Sequence, residues 1–530
     1  MDHMKKEECE IKAFDEEIAR LQWIVADLEA RRAVLAKRYD ERRAAISGVR
    51  KLPIEILQSI FTQTYHPDTD AKDKRHQKNF SLYLCKTRIP NPSPIINLSQ
   101  TSSHWRSVAK ALPQLWTSIL LDVTRLDIDV VPLIHTYLAN SRGHPLRIRL
   151  NGCEPRLFQK EDVYGYKALR VLLKESMTRW AELHVDILHW DVITKHLGDT
   201  STLDITFPAL RTLRCLSDPL LHSGPPHWFW RAVQSAPKLD NVDVMYMPLL
   251  PCYSLPYRQL RSLIFAAAGG EHLLDRLASA PSLEVFEVHW FHMGAMFNDG
   301  APPVPATVIL PLLRTFAVHL TCSLMDFHTF FGRLELPSLE RLRVESDRES
   351  VADHYTPPLS FLSALEHCSA HLKDLTLNLR WATMDKDWMS RILQVLPVLQ
   401  RFSATFRGLE VPMHRASPCI THLLSRLVIL PTDTRAVLTP KLEQLFIKEL
   451  ESLMNKEVLE MLLDVIESRS ECTQREVVAL SNVELSYQMN FVWQTQEQLS
   501  EAEILPASIL SRIERLKDKK MSCTIQAIDT

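Results

Sequence analysis

A repeated leucine pattern in the C-terminal part of the chain restricts the fold more than any other feature of the sequence. Segments of the type L-x-x-L-x-L occur nine times between residues 207 and 447. Alternating apolar residues are typical of a strand with one buried face, and their regular recurrence is typical of stacked structural units. Consecutive anchoring leucines are 21 to 43 residues apart, and they are Leu210, Leu239, Leu260, Leu283, Leu313, Leu339, Leu372, Leu399 and Leu442.

Prolines at a fixed position indicate what precedes each strand. In seven of the nine units a proline lies two residues before the anchoring leucine, and helical patterns come before several of them, as at 272–280 and 387–396. Because proline cannot continue a helix, each unit should contain a helix, a turn and a strand. Stacked units of this kind predict an α/β fold at 123–530, a curved leucine-rich-repeat-like solenoid with a parallel sheet. The asparagine of the usual leucine-rich repeat is missing.

Weaker units extend the pattern at both ends. Segments 144–152 and 178–186 resemble earlier strands, and 461–469 followed by 475–485 predicts one more helix and strand. The widest gap, between Leu399 and Leu442, is long enough to hold a further unit near 425–430. A helix near 506–518 and a strand after it predict a C-terminal cap at about 505–530.

The first 47 residues predict one long helix with a coiled-coil seam. Apolar residues alternate by four and three positions, Arg32 and Arg42 interrupt the series, and most other positions are charged or Ala. A seam of this length indicates a coiled coil, formed either by self-association through residues 11–46 or by packing of the helix against its own chain. The apolar seam residues are Phe14, Ile18, Leu21, Val25, Leu28, Leu35, Tyr39 and Ile46.

Two motifs define the segment 48–122. The first is KLPIEILQSIF at 51–61, in which Pro53 suits the first turn of a helix. A charged loop is expected at about 66–90, followed by a second helix from Ile96 to Ala111 and the motif HWRSVAKALPQLW at 104–116. These motifs resemble the F-box. A coiled coil, an F-box and a repeat region in this order are similar to the large F-box family of fungi.

The resemblance implies a non-catalytic role in a cullin–RING (SCF-type) ubiquitin ligase. The F-box would dock on a Skp-type adaptor, and through it on a cullin, while the repeats would select an unknown protein target. The docking residues would divide between the domain core and an exposed apolar patch, with each residue's part left open. The candidates are Leu52, Pro53, Ile56, Leu57, Ile60, Phe61, Trp105, Val108 and Trp116.

The repeat region offers a second candidate surface. The residue between the last two apolar positions of each unit should point to the concave side of the sheet. These residues carry mixed charges, which indicates neither a phosphate site nor a nucleic-acid groove. They are Arg214, Asp243, Ile264, Glu287, Ala317, Arg343, Thr376, Ser403 and Phe446, of which Arg214, Asp243, Glu287, Arg343 and Phe446 are the candidate target contacts.

Several function classes lack sequence support. The net charge is -2, the 12 glycines form no phosphate-binding motif, and no CxxC pair occurs among the 10 cysteines. We expect no enzyme, cofactor, metal, nucleic acid or membrane partner, and a cytoplasmic or nuclear location. His289 and His292 lack companion ligands for a metal.

The alternative function is a scaffold that oligomerises through the N-terminal seam, has no ubiquitin-ligase link and buries the Leu-Pro helix against the first repeats.

Overall fold

A computed structural model of the chain divides into two compact units. One unit consists of Met1–Ser81 and Ser93–Trp116, and the other of Leu82–Pro92 and Thr117–Thr530. The structure describes residues 2–46, 48, 52–64, 82–84, 94–124, 126, 128–152, 163–187, 190, 194, 205–215, 227–246, 255–292, 307–320, 330–346, 359–379, 387–407, 418–429, 437–450, 456–472, 477–488, 509, 511–512, 515 and 522–528.

The first unit is helical. It contains the long helix α1 (Asp2–Ile46), α2 (Ile54–Thr64), α3 (Pro94–Thr101) and α4 (Ser103–Ala111). A 3₁₀ turn at Pro113–Trp116 follows. The sequence predicted one helix from Ile96 to Ala111, and this was wrong. Ser102 separates α3 from α4, because its side chain accepts a hydrogen bond from the Trp105 N–H at 3.1 Å and caps α4.

The second unit is dominated by one parallel sheet of fifteen strands. Every strand pairs with its neighbours in chain order, apart from two short strands that form their own sheet. This confirms the predicted α/β class and parallel sheet. The strands of the large sheet are β1 (Leu82–Leu84), β2 (Ser118–Asp122), β3 (Leu146–Gly152), β4 (Trp180–Ile187), β5 (Thr212–Cys215), β6 (Asn241–Tyr246), β7 (Ser262–Gly269), β8 (Val285–His292), β10 (Thr315–Leu320), β12 (Arg341–Ser346), β13 (Asp374–Leu379), β14 (Arg401–Arg407), β15 (Gln444–Leu450), β16 (Asn482–Gln488) and β17 (Ser522–Ile528).

Helices connect many of these strands. The two short strands β9 (Val308–Ile309) and β11 (Leu334–Glu335) pair with each other and precede β10 and β12. In those two units a strand therefore stands directly before the turn, where a helix was expected. The helices of this unit are α5 (Val131–Asn140), α6 (Val163–Ser176), α7 (His227–Gln234), α8 (Gly270–Ala278), α9 (Leu359–Cys368), α10 (Trp388–Gln394), α11 (Pro418–Leu427) and α12 (Lys456–Glu471).

The same tight turn leads into most strands of the repeat. The N–H of Leu239 donates to the Ala236 carbonyl at 3.5 Å, and Leu283 donates to Ala280 at 3.2 Å. Proline occupies the second position of these turns, where its fixed φ angle is already suitable. The anchoring leucine is then buried, so the proline and leucine of each unit together set where the strand begins.

One predicted repeat unit needs correction. The further unit expected near 425–430 does not form, since α11 extends to Leu427 and β14 pairs directly with β15. The HLLSRL pattern has helical spacing, and Leu423, Leu424 and Leu427 are buried. The second compact unit consists of Leu82–Pro92 and Thr117–Thr530, and its first strand, Leu82–Leu84, comes from the segment that was expected to be a charged loop.

The C-terminal cap is only partly described. Ser522–Ile528 forms the expected strand, which pairs with β16 and is the last in the sheet order. Most of the predicted helix near 506–518, and residues 66–81 and 85–90 of the predicted loop, lie outside the described residues. Among the described helices, none combines the length and the apolar character that crossing a membrane requires.

Candidate interaction surfaces

Helix α2 separates its apolar residues between two faces. Leu57 and Phe61 are fully buried, whereas Ile56 and Ile60 are 47% and 39% exposed. Pro53, just before the helix, is exposed as well. Because residues three and four positions apart share a helix face, Pro53, Ile56 and Ile60 form one apolar stripe. We call these three residues the α2 stripe.

The core of the first unit is complete without the α2 stripe. The rings of Phe61 and Trp105 meet edge to face, with centroids 5.1 Å apart. Trp116 is buried, and its Nε1–H donates to the Ala109 carbonyl at 2.8 Å, which fixes the 3₁₀ turn against α4. Val108 is also buried. These side chains are therefore buried without any contribution from the α2 stripe, which stays in contact with solvent.

The nine predicted docking residues thus fall into three groups according to their exposure. Their side chains are not equivalent, since buried ones cannot touch a partner while the unit stays folded. Leu57, Phe61, Val108 and Trp116 are buried, Leu52 and Trp105 are half-buried, and Pro53, Ile56 and Ile60 are exposed. The sequence motif did not distinguish these groups, because the position of α4 decides which face of α2 is covered.

The nine predicted positions of the repeat region lie in one row across the sheet. Arg214 is in register with Asp243, and the same row continues through Glu287 and Arg343 to Phe446. Their strand neighbours on either side are buried, while the row itself is half-buried or exposed. We call the sheet face that carries this row the open face. The structure brings all five predicted target contacts to it.

Burial shifts the pKa values of titratable residues near the first strands of the open face. Arg214 Nε lies 3.4 Å from Asp243 Oδ2, yet the pKa of Asp243 is raised because burial outweighs the attraction of Arg214 and His289. The pKa of His184 is lowered to about 3, first by burial and then by Arg214 and two further arginines. His184 is therefore neutral at physiological pH, and the arginines carry the local positive charge.

The other predicted contacts of the open face are partly engaged with neighbours. Arg343 forms an ion pair with Glu345 at 2.6 Å on the same strand. The guanidinium carbon of Arg401 lies 4.6 Å from the ring centroid of Phe446. Such a contact holds the aromatic ring in place at the surface. The open face thus presents mixed charges and one aromatic group, as its sequence indicated.

A line of mostly alternating charges crosses the sheet and was not predicted from the sequence. The residue after each anchoring leucine accepts, through its backbone carbonyl, hydrogen bonds from the next unit, as Arg314 does from Glu340 and Arg341 at 2.9 Å. Their side chains alternate in sign from Arg211 to Lys373, which the repeat alignment could have revealed, and the neutral Gln400 then interrupts the alternation. We call these residues the charge line, and they are Arg211, Asp240, Arg261, Glu284, Arg314, Glu340, Lys373, Gln400 and Glu443.

The cleft beside the charge line is polar. It has a volume of about 410 Å³ at the start of β12 to β15. Its charges balance, with Glu340, Asp374 and Glu443 against Arg341, Lys373 and Arg401. Ligand pockets are usually lined by apolar groups, so this cleft is better explained by the packing of successive units. Within the described ranges, no group of three or more His, Cys, Asp or Glu residues is arranged to hold a metal ion.

The predicted coiled-coil seam is exposed along α1. Phe14, Ile18, Leu21, Val25 and Leu28 are 48 to 68% exposed. The same holds for Leu35 and Tyr39. Nothing in the described residues covers this seam, so packing of the helix against its own chain is not observed there.

Comparisons with known proteins do not assign the chain to a family. No protein-family model matches the sequence, and no curated protein matches it either. The function must therefore be inferred from the α2 stripe, the open face and the seam of α1.

Proposed function

We propose that this protein is the substrate-recognition adaptor of a cullin–RING (SCF-type) ubiquitin ligase. Its F-box-like first unit would bind a Skp-type adaptor and through it a cullin, and its repeat region would bind a protein target. In this proposal the chain is not itself an enzyme, because other subunits transfer ubiquitin. We expect it to act in the cytoplasm, the nucleus or both.

The α2 stripe is the observation that carries the proposal. It places Pro53, Ile56 and Ile60 in solvent on a helix whose opposite face anchors the core. An exposed apolar helix face is characteristic of an interaction site. The motif around it, KLPIEILQSIF, is the one that resembles the F-box. In the other half of that motif, the Trp105 ring packs against Phe61 of α2, and Trp116 donates a hydrogen bond to Ala109 of α4.

The target would bind to the open face of the repeat region. We infer that the parallel sheet with its connecting helices is an α/β solenoid of leucine-rich-repeat-like units. The chain-order pairing of the strands and the recurrent turn support this inference. Solenoids use such long surfaces for protein recognition. Arg214, Asp243, Glu287, Arg343 and Phe446 are then candidate target contacts.

A scaffold without a ubiquitin-ligase link is the second candidate function. The exposed seam of α1 favours it, because a free apolar stripe of that length is suited to assembly. The Leu-Pro helix is not a buried cap in the described structure, as Pro53 and the two isoleucines of the α2 stripe are exposed.

Adaptor binding separates the two candidates. The full-length chain should bind a purified Skp-type adaptor in isothermal titration calorimetry. We expect Ile56→Glu combined with Ile60→Glu to weaken binding at least tenfold, because two charges would enter an apolar contact. The double substitution of Leu52→Ala and Pro53→Ala tests whether the residues just before α2 belong to the same binding surface.

A matched variant controls for added charge. Ile128 is 54% exposed in the second unit, and Ile128→Glu should leave adaptor binding unchanged. Circular dichroism should show that all variants keep the wild-type helix content. Absence of binding by the wild-type chain would refute the ligase proposal and leave the scaffold. If the α2 substitutions leave adaptor binding unchanged, the adaptor must bind to another part of the chain.

A further inference from the structure

The residue types along the seam of α1 indicate how many helices would associate through it. In heptad notation, with Ile11 at position a, the a series continues with Ile18, Val25 and Arg32. The d series contains Leu21, Leu28 and Leu35. In parallel coiled coils, β-branched residues at a with leucine at d favour two strands over three or four. Because this seam follows one narrow stripe of a and d positions, a pair of helices would cover it, and the flanking charges must decide the orientation of that pair.

The flanking charges are divided between the two halves of the helix. At the g positions beside the seam, Glu10 and Glu17 lie in the first half, whereas Arg31 and Arg38 lie in the second. All four side chains are exposed. Glu17 is bonded at 2.8 Å only to Arg20 of its own helix among the pairs described. Arg31 contacts Asp27 in the same way at 2.8 Å.

A parallel pair would bring like charges together. In that orientation g faces e of the following heptad, so Glu10 would face Asp15 and Arg38 would face Arg43 of the second copy. Each residue at a would face itself, which places two copies of Arg32 side by side in the seam. Like charges at these positions oppose association.

An antiparallel pair removes most of these conflicts. In the register where Ile18 faces Leu28 of the second copy, Glu17 faces Arg31 and Glu10 faces Arg38. Arg32 then faces the ring of Phe14, a favourable cation–π combination. One like-charged pair remains, Asp15 with Glu29 at the e positions. By symmetry each of these contacts occurs twice in the pair.

We propose that α1 forms an antiparallel two-stranded coiled coil with α1 of a second copy of this chain. The seam residues supply the apolar contact, and the acidic first half of each helix pairs with the basic second half of the other. The assembly is independent of the adaptor-binding proposal, because it uses the seam of α1 and none of the residues of the α2 stripe. It joins two repeat regions in one molecule, so a target with two recognition sites would bind more tightly.

Two valines offer a matched test of the assembly. Val25 lies on the seam and Val34 lies off it, and both are 53% exposed. The full-length wild-type chain should have twice the monomer mass in light scattering. Val25→Glu should weaken dimerisation at least tenfold, while Val34→Glu should not change it. A monomeric wild-type chain, or equal loss in the two variants, would overturn the proposal.

Cysteine cross-linking tests the orientation. Cys9 is an exposed thiol on α1, so Cys9→Ser provides the background. Chains with Ile18→Cys and chains with Leu28→Cys, carrying different tags, should form a mixed disulfide on oxidation. Ile18→Cys alone should not link to itself, because the two thiols would be ten residues apart along the axis, about 15 Å at 1.5 Å per residue, beyond the roughly 7 Å limit for a disulfide. A self-linked Ile18→Cys dimer would show a parallel pair and refute the orientation.

Discussion

The protonation of His184 depends on its place in the sheet. It lies half-buried on β4, in register with Arg149 and Arg214 on the neighbouring strands. Burial and these arginines lower its pKa to about 3, against 6.5 in an unfolded chain. Below pH 6.5 the unfolded chain takes up a proton that the folded chain does not. Stability should therefore be retained above pH 6.5 and lost as the pH falls towards 3.

The contribution of His184 can be measured by urea unfolding at pH 7.5 and pH 5.5. On lowering the pH between these values, the wild-type chain should lose about 1.4 kcal/mol more than His184→Asn, as expected for one pH unit of proton linkage. The comparison with the variant removes the contributions of the other titrating groups. Equal pH dependence in the two proteins would mean that His184 titrates normally.

Residue burial on α2 illustrates what one sequence can and cannot predict. The helical spacing of Ile56, Leu57, Ile60 and Phe61 correctly predicted that they lie on one helix. It could not tell which two are buried, since that depends on where Trp105 and the rest of α4 pack. The open face was easier to predict, because strict alternation in a strand assigns each residue to one face.

The recurring turn and strand were predictable for a physical reason. Proline, anchoring leucine and alternating apolar residues are local signals, and each one determines structure within a few residues. The segment 425–430 lacked such a signal, and its first residues, up to Leu427, belong to helix α11 in the structure. The short strands β9 and β11 were equally hidden, because short apolar runs such as VIL fit either a helix or a strand. Ser102 separates α3 from α4 by capping the start of α4, which the pattern of apolar residues does not reveal.

The charge line connects neighbouring units and predicts a stability effect. Arg314 lies 4.0 Å from Glu340, and Lys373 approaches the same carboxylate at 3.7 Å. Arg314→Glu would place three acidic side chains in succession, since Glu284 precedes it in the line. We expect a loss of about 1 kcal/mol in the free energy of unfolding, because exposed ion pairs contribute modestly.

Denaturant unfolding at low and high salt checks this prediction. The loss in Arg314→Glu should shrink in 1 M NaCl, where exposed charges are largely screened. Arg314→Gln should cost less than the charge reversal, because it removes attraction without adding repulsion. Arg258 is exposed and lies outside the charge line, so Arg258→Glu is the control and should have little effect. A salt-independent loss would mean that Arg314 acts through packing.

At the scale of the whole second unit, aromatic rings connect successive repeats. Phe286 and Phe316 on adjacent strands are stacked, with centroids 5.5 Å apart. Phe316 also contacts Phe331 at 5.6 Å, and Phe331 contacts Phe361 at 5.2 Å. Contacts between neighbours are what hold a repeat array together, since one unit cannot bury its own apolar face. The centre of the array should therefore be coupled more strongly than its C-terminal end.

Hydrogen exchange of two cavity variants tests this coupling. Phe316 is almost fully buried among these rings, and Phe316→Ala should cost about 3–5 kcal/mol. Because the ring contacts neighbours on both sides, exchange should increase from β8 through β13. Leu485 is buried on β16 near the end of the sheet, and Leu485→Ala should increase exchange only in β15 to β17. In an array coupled only to its nearest neighbours, local opening spreads through adjacent interfaces and stops where the contacts are strong. Equal acceleration throughout the sheet in both variants would instead mean that the second unit unfolds as a single cooperative body.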